Sequence, residues 1–240
     1  LYAPSAGVVN PWELASAQAE VAVENGAEVW LNAEVLGIDK TAEGFLVHSA
    51  AGDVPARFVV NAAGVHSAGV ATLAGDESFD ICADKGQYFL MDTSQGSLVN
   101  HVIFQCPTTY GKGVLVAPTV HGNLIVGPNN EVVAPEDTTT SADGLAYVRA
   151  TAQRSVPNIN FRESIRNFAG VRAAAVGLDD FIVEQSKTTP GLFHMAGIKS
   201  PGLTAAPAIA ADVVKMLEKS GLELTRQENI VENRKIVRFK

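Results

Sequence analysis

The sequence predicts a mixed fold, α/β in its outer parts and α+β overall, with an antiparallel sheet set between two stretches that alternate helices and strands. Three observations carry that reading. A capped helix near the start leads through short strands into one deep apolar strand. Between Ser78 and Asn130 the pattern changes to hairpin-spaced strands, and at 197–214 a glycine-bearing loop, "GIKSPGLTAAPAIAADVV", turns directly into an apolar helix. The 240 residues allow one large domain or two modest ones, and 47% hydrophobic against 18% charged residues is an ordinary globular balance. A net charge of −8 excludes the dense positive surface that nucleic acid requires, so any anionic ligand has to be met locally.

The elements follow in order. In "VVNPWELASAQAEVAVENGAEVWLN", Asn10 can cap, Pro11 suits the first helical position, Glu13 is placed for a capping box and Gly26 fits the exit. A helix over 11–25 and a strand over 28–31 are expected. Strands over 34–39 and 45–49, a turn at 52–53 and a buried strand over 58–61 come next. Gly64 marks a sharp turn, and Ser67 can cap a short helix running to Ala74. "KGQYFLMD", "HVIFQCP", "KGVLVAPT" and "NLIVGP" read as the antiparallel strands. A helix over 141–155 has Leu145, Val148 and Ala152 on one stripe. "FIVEQS" and "GLFHMAG" read as strands, 203–219 as the closing helix, and 222–240 as a charged linker.

In the closing loop Thr204 can cap the helix, with Pro207 in its first turn. The free N–H groups at such a helix end favour negative charge, so the loop fits either a structural turn or a ligand loop. It is no P-loop, because no Lys-Ser/Thr follows Gly202. Cys82 and Cys106 match no zinc or disulfide framework and read as free structural thiols in a reducing, cytoplasmic setting, and no metal site is expected. No apolar run approaches the ~20 residues of a membrane span.

Five blocks together resemble the FAD-dependent oxidoreductases of the D-amino-acid-oxidase-like class, in the branch of glycerol-3-phosphate dehydrogenases and 2-hydroxyglutarate-oxidising enzymes. They are "FVVNAAGVHS", "KGQYFLMD", "KGVLVAPTVHGNLIVGP", "GVRAAAVGLDDFIVEQS" and "GLFHMAGIKSPGLTAAPAIAADVV", and they occur in that family's order. The resemblance implies an incomplete FAD/NAD(P)-binding-type domain, at 1–76 and 169–220, interleaved with an antiparallel substrate domain at 77–168, and a tail at 221–240. Such enzymes begin with a strand, a GxGxxG turn and a helix that hold the FAD diphosphate. The sequence opens on Leu1 without them, so it is expected to be the later part of a longer protein. An iron–sulfur domain or an electron-acceptor protein outside this chain is the further partner implied.

The same resemblance implies roles for residues. Ala62, Ala63 and Gly64 come close to FAD, the alternative being a tight strand-to-helix turn. Gly197, Ile198, Gly202, Leu203 and Thr204 face the flavin end. Val35 lies along the adenine or is plain core. Arg172, in a Gly-x-Arg pattern, reaches a small anionic substrate at the flavin's reactive face, or else pairs with Asp179 or Asp180. Lys199 favours negative charge on the reduced flavin, or faces solvent. Gln87 and Tyr88 belong to a strand that faces substrate. Of the five histidines, His48, His121 and His194 read as structural, and His66 lies nearest the flavin turn. The expected reaction is hydride transfer from glycerol 3-phosphate or a 2-hydroxy acid to flavin. The alternatives are an amine or amino-acid substrate, or a catalytically silent piece that does not retain FAD.

Overall fold

The computed structural model describes residues 2–106, 113–225 and 227–235. In chain order its first elements are α1 (Pro11–Glu24), β1 (Val35–Thr41), β2 (Gly44–Ser49), β3 (Gly52–Ala56), β4 (Val59–Asn61), α2 (Ser67–Leu73) and β5 (Ile81–Met91). There follow β6 (Leu115–Pro118), β7 (Leu124–Gly127), β8 (Glu131–Val133), α3 (Ala142–Ser155), β9 (Ser164–Ala175), β10 (Ile182–Gln185), β11 (Leu192–Ala196) and α4 (Gly202–Lys219). Two compact units result: a sheet unit of Leu1–Asn10 and Ala83–Arg172, and a split unit of Pro11–Cys82 and Ala173–Lys240. The chain passes from one to the other inside strands, within β5 and within β9. Residues 2–10 and 169–172, assigned from sequence to the cofactor portion, therefore belong with the antiparallel sheet.

In the split unit, β1, β2 and β3 form an antiparallel meander, and β10, β11 and β4 form a second sheet in which β4 and β11 are parallel. Ile38, Phe45 and Leu192 are its buried apolar cluster, with Val35, Val47, Val59 and Val70 packed around them. The strand expected over 28–31 does not form: Trp30 and Leu31 are about half exposed, and a strand exists only by pairing, which no neighbour among the described residues supplies. Residues 52–53 open β3 instead of making a turn, which falls at 50–51. Ser67 is not a cap either; it is the first residue of α2, and its hydroxyl donates to Gly64 C=O at 2.8 Å. The tail is more than linker: Asn25 exchanges two hydrogen bonds with Val231, and Arg234 and Lys235 pair with Glu20 and Glu24 of α1.

Polar groups pin the parallel pair from inside. His194 of β11 sits opposite Asn61 of β4, and both are buried. Asn61 Nδ2 lies 3.3 Å from His194 Nδ1, which must accept; His194 Nε2 then carries the proton and donates to buried Asp76, at 3.1 Å. Burial alone would raise the Asp76 carboxyl, but hydrogen bonds from Ser186, Ser78 and His194 outweigh it and hold the group well below the usual carboxylate range.

The sheet unit has the strand order β6-β7-β5-β8, with β9 also paired to β5. Met91, Val116, Leu124 and Val126 pack against Val148 and Ala152, which stand four residues apart on α3. Ser141 caps α3, its side chain accepting from Gly144 N–H at 3.1 Å. The expected strand "HVIFQCP" shrinks to one bridge, Ile103 with Val116, and β8 and the twelve-residue β9 were not anticipated. Pro107 and Lys112, at the ends of two expected strand stretches, lie outside the described residues.

Replacing Asp76 with Ala strands the His194 N–H in the core, and urea unfolding should show a loss of about 3 kcal/mol. His48 is a surface counterpart: it bridges Asp53 (2.9 Å) and Asp39 (3.1 Å) across the meander, and those hydrogen bonds, Asp53's first, raise its pKa above 6.5. A raised pKa means that the stabilisation is complete below the unfolded value and lost as pH rises through the folded one. His48→Gln should therefore lower the melting temperature more at pH 5.5 than at pH 9, where the two proteins should converge.

Candidate functional site

Because β4 and β11 run parallel, the loops that follow them leave the same edge of the sheet. From β4 the chain enters Ala62, Ala63 and Gly64, then a 3-10 turn and α2. Gly64 has φ +60°, and a methyl there would meet nothing within 4 Å, so the backbone borders open space. From β11 it enters Gly197 and Ile198, then α4. Gly197 has φ +65°, and its missing side chain admits Ala175, whose Cβ would lie 2.9 Å from a methyl. The pairing thus brings together Ala62, Ala63, Gly64, Gly197, Ile198, Gly202, Leu203 and Thr204. Val35 is not among them; it starts β1 and packs against the core cluster.

The start of α4 differs from expectation in two ways. Pro201 takes the cap position with no side-chain bond, and Thr204 lies inside the first turn. Pro207 is further in, where its missing N–H leaves Leu203 C=O without its helical donor. Gly202 N–H is used by Lys199 C=O (2.6 Å) and Ala205 N–H by Pro201 C=O (3.1 Å). The Leu203 and Thr204 amides have no backbone acceptor among the described residues, and they are the donors a helix end offers to a negative or polarised group. Lys199 points to Asp179 at 3.5 Å in an exposed pair, which is worth little in water. His66 is exposed at the 3-10 turn.

In the sheet unit Arg172 takes a partner the sequence reading missed. Its Nη2 donates to Asp84 Oδ1 (3.0 Å) and Asn130 Oδ1 (3.0 Å), and its Nε to Asp84 C=O (3.2 Å), so neither Asp179 nor Asp180 is its partner. The signal for Asp84 was the pairing of β9 with β5, which is invisible until β9 is known to be a strand. Tyr88, two positions beyond Gly86 on the same face of β5, stacks on Phe168 of β9 with ring centroids 5.3 Å apart. Burial raises its phenol above the usual value, partly opposed by Arg172.

Gln87 corrects the sequence expectation. Strand alternation turns it to the opposite face, where it is fully buried; its amide donates to Glu131 (2.8 Å) and Ser141 Oγ (3.2 Å) and accepts from Ser141 N–H (2.7 Å). Lys85 lies on that face too, 2.9 Å from Asp137, whose carboxyl is held at about 2 by hydrogen bonds from Thr139 and Lys85. Both residues tie β5 to β8 and the start of α3, and neither is open to a ligand. Among the described residues no cluster of His, Cys, Asp and Glu could hold a metal ion, and no helix is long and apolar enough to cross a membrane.

Comparison with known proteins adds to this geometry. A family model described as FAD dependent oxidoreductase matches residues 1–216. The chain is 40% identical over 230 residues to the glycerol 3-phosphate dehydrogenase of Caloramator mitchellensis, covering 95% of this chain and 48% of that protein. It is 24% identical over 261 residues to the L-2-hydroxyglutarate dehydrogenase of Escherichia coli K12, covering 91% of this chain and 61% of that one. Among solved structures, the dithionite-reduced L-alpha-glycerophosphate oxidase of Mycoplasma pneumoniae with FAD bound superposes with a TM-score of 0.81 at 33% identity, over 88% of this chain and 56% of the other. The chain thus spans about half the length of the relatives it matches.

The two glycines separate strain from collision. Gly64→Ala should cost roughly 1–2 kcal/mol for left-handed backbone alone. Gly197→Ala adds the clash with Ala175 and should lower the urea midpoint clearly further.

Proposed function

The chain belongs to the FAD dependent oxidoreductase family, and from that premise we propose that it carries the flavin-ring and substrate residues of an enzyme that oxidises glycerol 3-phosphate. The observation that carries the reading is the shared edge of β4 and β11, where two glycine loops and the unengaged amides of Leu203 and Thr204 lie at the carboxyl ends of parallel strands, a recurrent place for a cofactor. These residues fit FAD: the backbone at Gly64 has space beside it, and the donors suit a polarised oxygen or a developing negative charge. Ala62, Ala63, Gly64, Gly197, Ile198, Gly202, Leu203 and Thr204 would hold the flavin end. No GxGxxG turn occurs in these 240 residues, so the diphosphate is assigned to none of them. When bound, FAD supplies the acceptor of two electrons.

Arg172 binds the substrate's anionic group and orients the carbon that gives up hydride. Asp84 and Asn130 fix the guanidinium beforehand, which lowers the entropy lost on binding. Tyr88 offers a hydroxyl and an aromatic edge on the same face. Lys199, paired only with exposed Asp179, is available to favour negative charge on the cofactor. A second reading, oxidation of a small 2-hydroxy acid, rests on the likeness to the Escherichia coli dehydrogenase. A cytoplasmic setting and an electron-acceptor partner belong to the same proposal, in keeping with the free thiols Cys82 and Cys106.

The test is dye reduction by the FAD-loaded protein made from the whole reading frame, with glycerol 3-phosphate, L-2-hydroxyglutarate and glycine as substrates. Glycerol 3-phosphate should be preferred, and Arg172→Lys, which keeps charge but loses the nitrogens that Asp84 and Asn130 hold in place, should lower kcat/KM by about a hundredfold. Preference for glycine would move the substrate to the amino-acid class.

A further inference from the structure

Along β5 and β9 the cross-strand partners Asp84 with Arg172 and Tyr88 with Phe168 show numbers rising on one strand as they fall on the other. This antiparallel match sets Gly86 opposite Gly170, midway between the two pairs. By strand alternation 84, 86 and 88 share a face, as do 168, 170 and 172. That face therefore has an ion pair at one end, an aromatic stack at the other, and between them no side chain from either strand. From Phe168 to Arg172 is roughly 13 Å of strand.

The two glycines are not equivalent. A methyl on Gly86 would strike Pro128 and come within 3.5 Å of Arg172 Nη2, so that side of the floor is already covered. A methyl on Gly170 meets nothing within 4 Å, and Gly170 is exposed. The open part of the floor is thus over Gly170. The arginine at its end has Nε and Nη2 engaged by Asp84 and Asn130, and Nη1 makes no hydrogen bond among the described residues. Its two N–H groups remain for a ligand.

We propose that this glycine-floored notch seats the carbon chain of the substrate, with its anionic end on Arg172 Nη1 and its carbons against the Tyr88–Phe168 stack, and that Gly170 is the specificity-determining position. The proposal rests on the reading of Arg172 as the substrate's arginine. In it Asp84 and Asn130 are positioning residues. They withhold the two-nitrogen fork, so the anion is met by one nitrogen. Glycine at 170 has no conformational cause, since alanine or valine suits a strand and finds open space there. Its absence of side chain is what the ligand uses.

The experiment compares Gly170→Ala and Gly170→Val with wild type in the FAD-loaded protein, using whichever substrate wild type oxidises. Both variants should keep the wild-type melting temperature; KM should rise about tenfold for Ala and further for Val, because a methyl in a fitted seat is worth that much. An unchanged KM in Gly170→Val overturns the seat. In parallel, the 240-residue chain is titrated with glycerol 3-phosphate while the Gly170 amide and Arg172 Nε–H resonances are followed. Both should shift, and Gly170→Val should abolish the shift at Arg172. An enzyme inert to every substrate whose resonances still move would refute the proposed function and keep the seat. Inertness without movement refutes both.

Discussion

The parallel pairing of β4 with β11 is the constraint on which the split unit depends. Residues 133 positions apart in sequence are brought side by side, and because parallel strands end at the same edge, so are the loops that follow them. The pairing is short, three residues on each strand, and it is reinforced from within by Asn61, His194 and Asp76. A buried network of this kind contributes only while every member is satisfied. Here the imidazole has an acceptor on one nitrogen and a donor on the other, and the carboxylate has further donors from Ser78 and Ser186. The arrangement of the two glycine loops is therefore a consequence of core hydrogen bonding.

The sheet unit uses its strands differently. β5 separates two kinds of chemistry by alternation alone. Lys85 and Gln87, both buried, are drawn into a polar lattice with Glu131, Asn129, Asp137 and Ser141. Asp84 and Tyr88 face the other way, with Arg172 and Phe168 of β9. The lattice fixes β5 against β8 and the start of α3, so the opposite face is held by groups that never meet a ligand. A shift of register by one residue would exchange the two faces entirely.

Much of this was legible in the residues, for identifiable reasons. Helices α1, α3 and α4 announced themselves through Pro11, Ser141 and apolar spacing, which are local signals. The strand before Gly64 and the strand before Gly197 were visible as short apolar runs bounded by glycine. Strand β9 was not: with Arg166, Asn167, Gly170 and Arg172 along it, it lacks the alternation of a half-buried strand and is held by pairing to β5. The strand expected over 28–31 failed for the converse reason, having apolar content without a partner strand among the described residues. Thr204 looked like a cap because capping residues are recognised by type, whereas the helix begins at Gly202.

What the sequence determined by itself is the kind of protein: a globular, acidic chain with five ordered blocks shared with FAD-dependent oxidoreductases, glycine loops at two strand ends and an arginine after Gly170. Composition, local capping and motif order are properties of neighbouring residues, and the linear chain contains them. Only the tertiary structure decided that Arg172 answers to Asp84 and Asn130, that Gln87 is walled into the core, and that Gly170 is left open beside a Gly86 covered by Pro128. Those facts depend on which strand lies beside which and in what register, a choice made by packing over distances that no local pattern encodes.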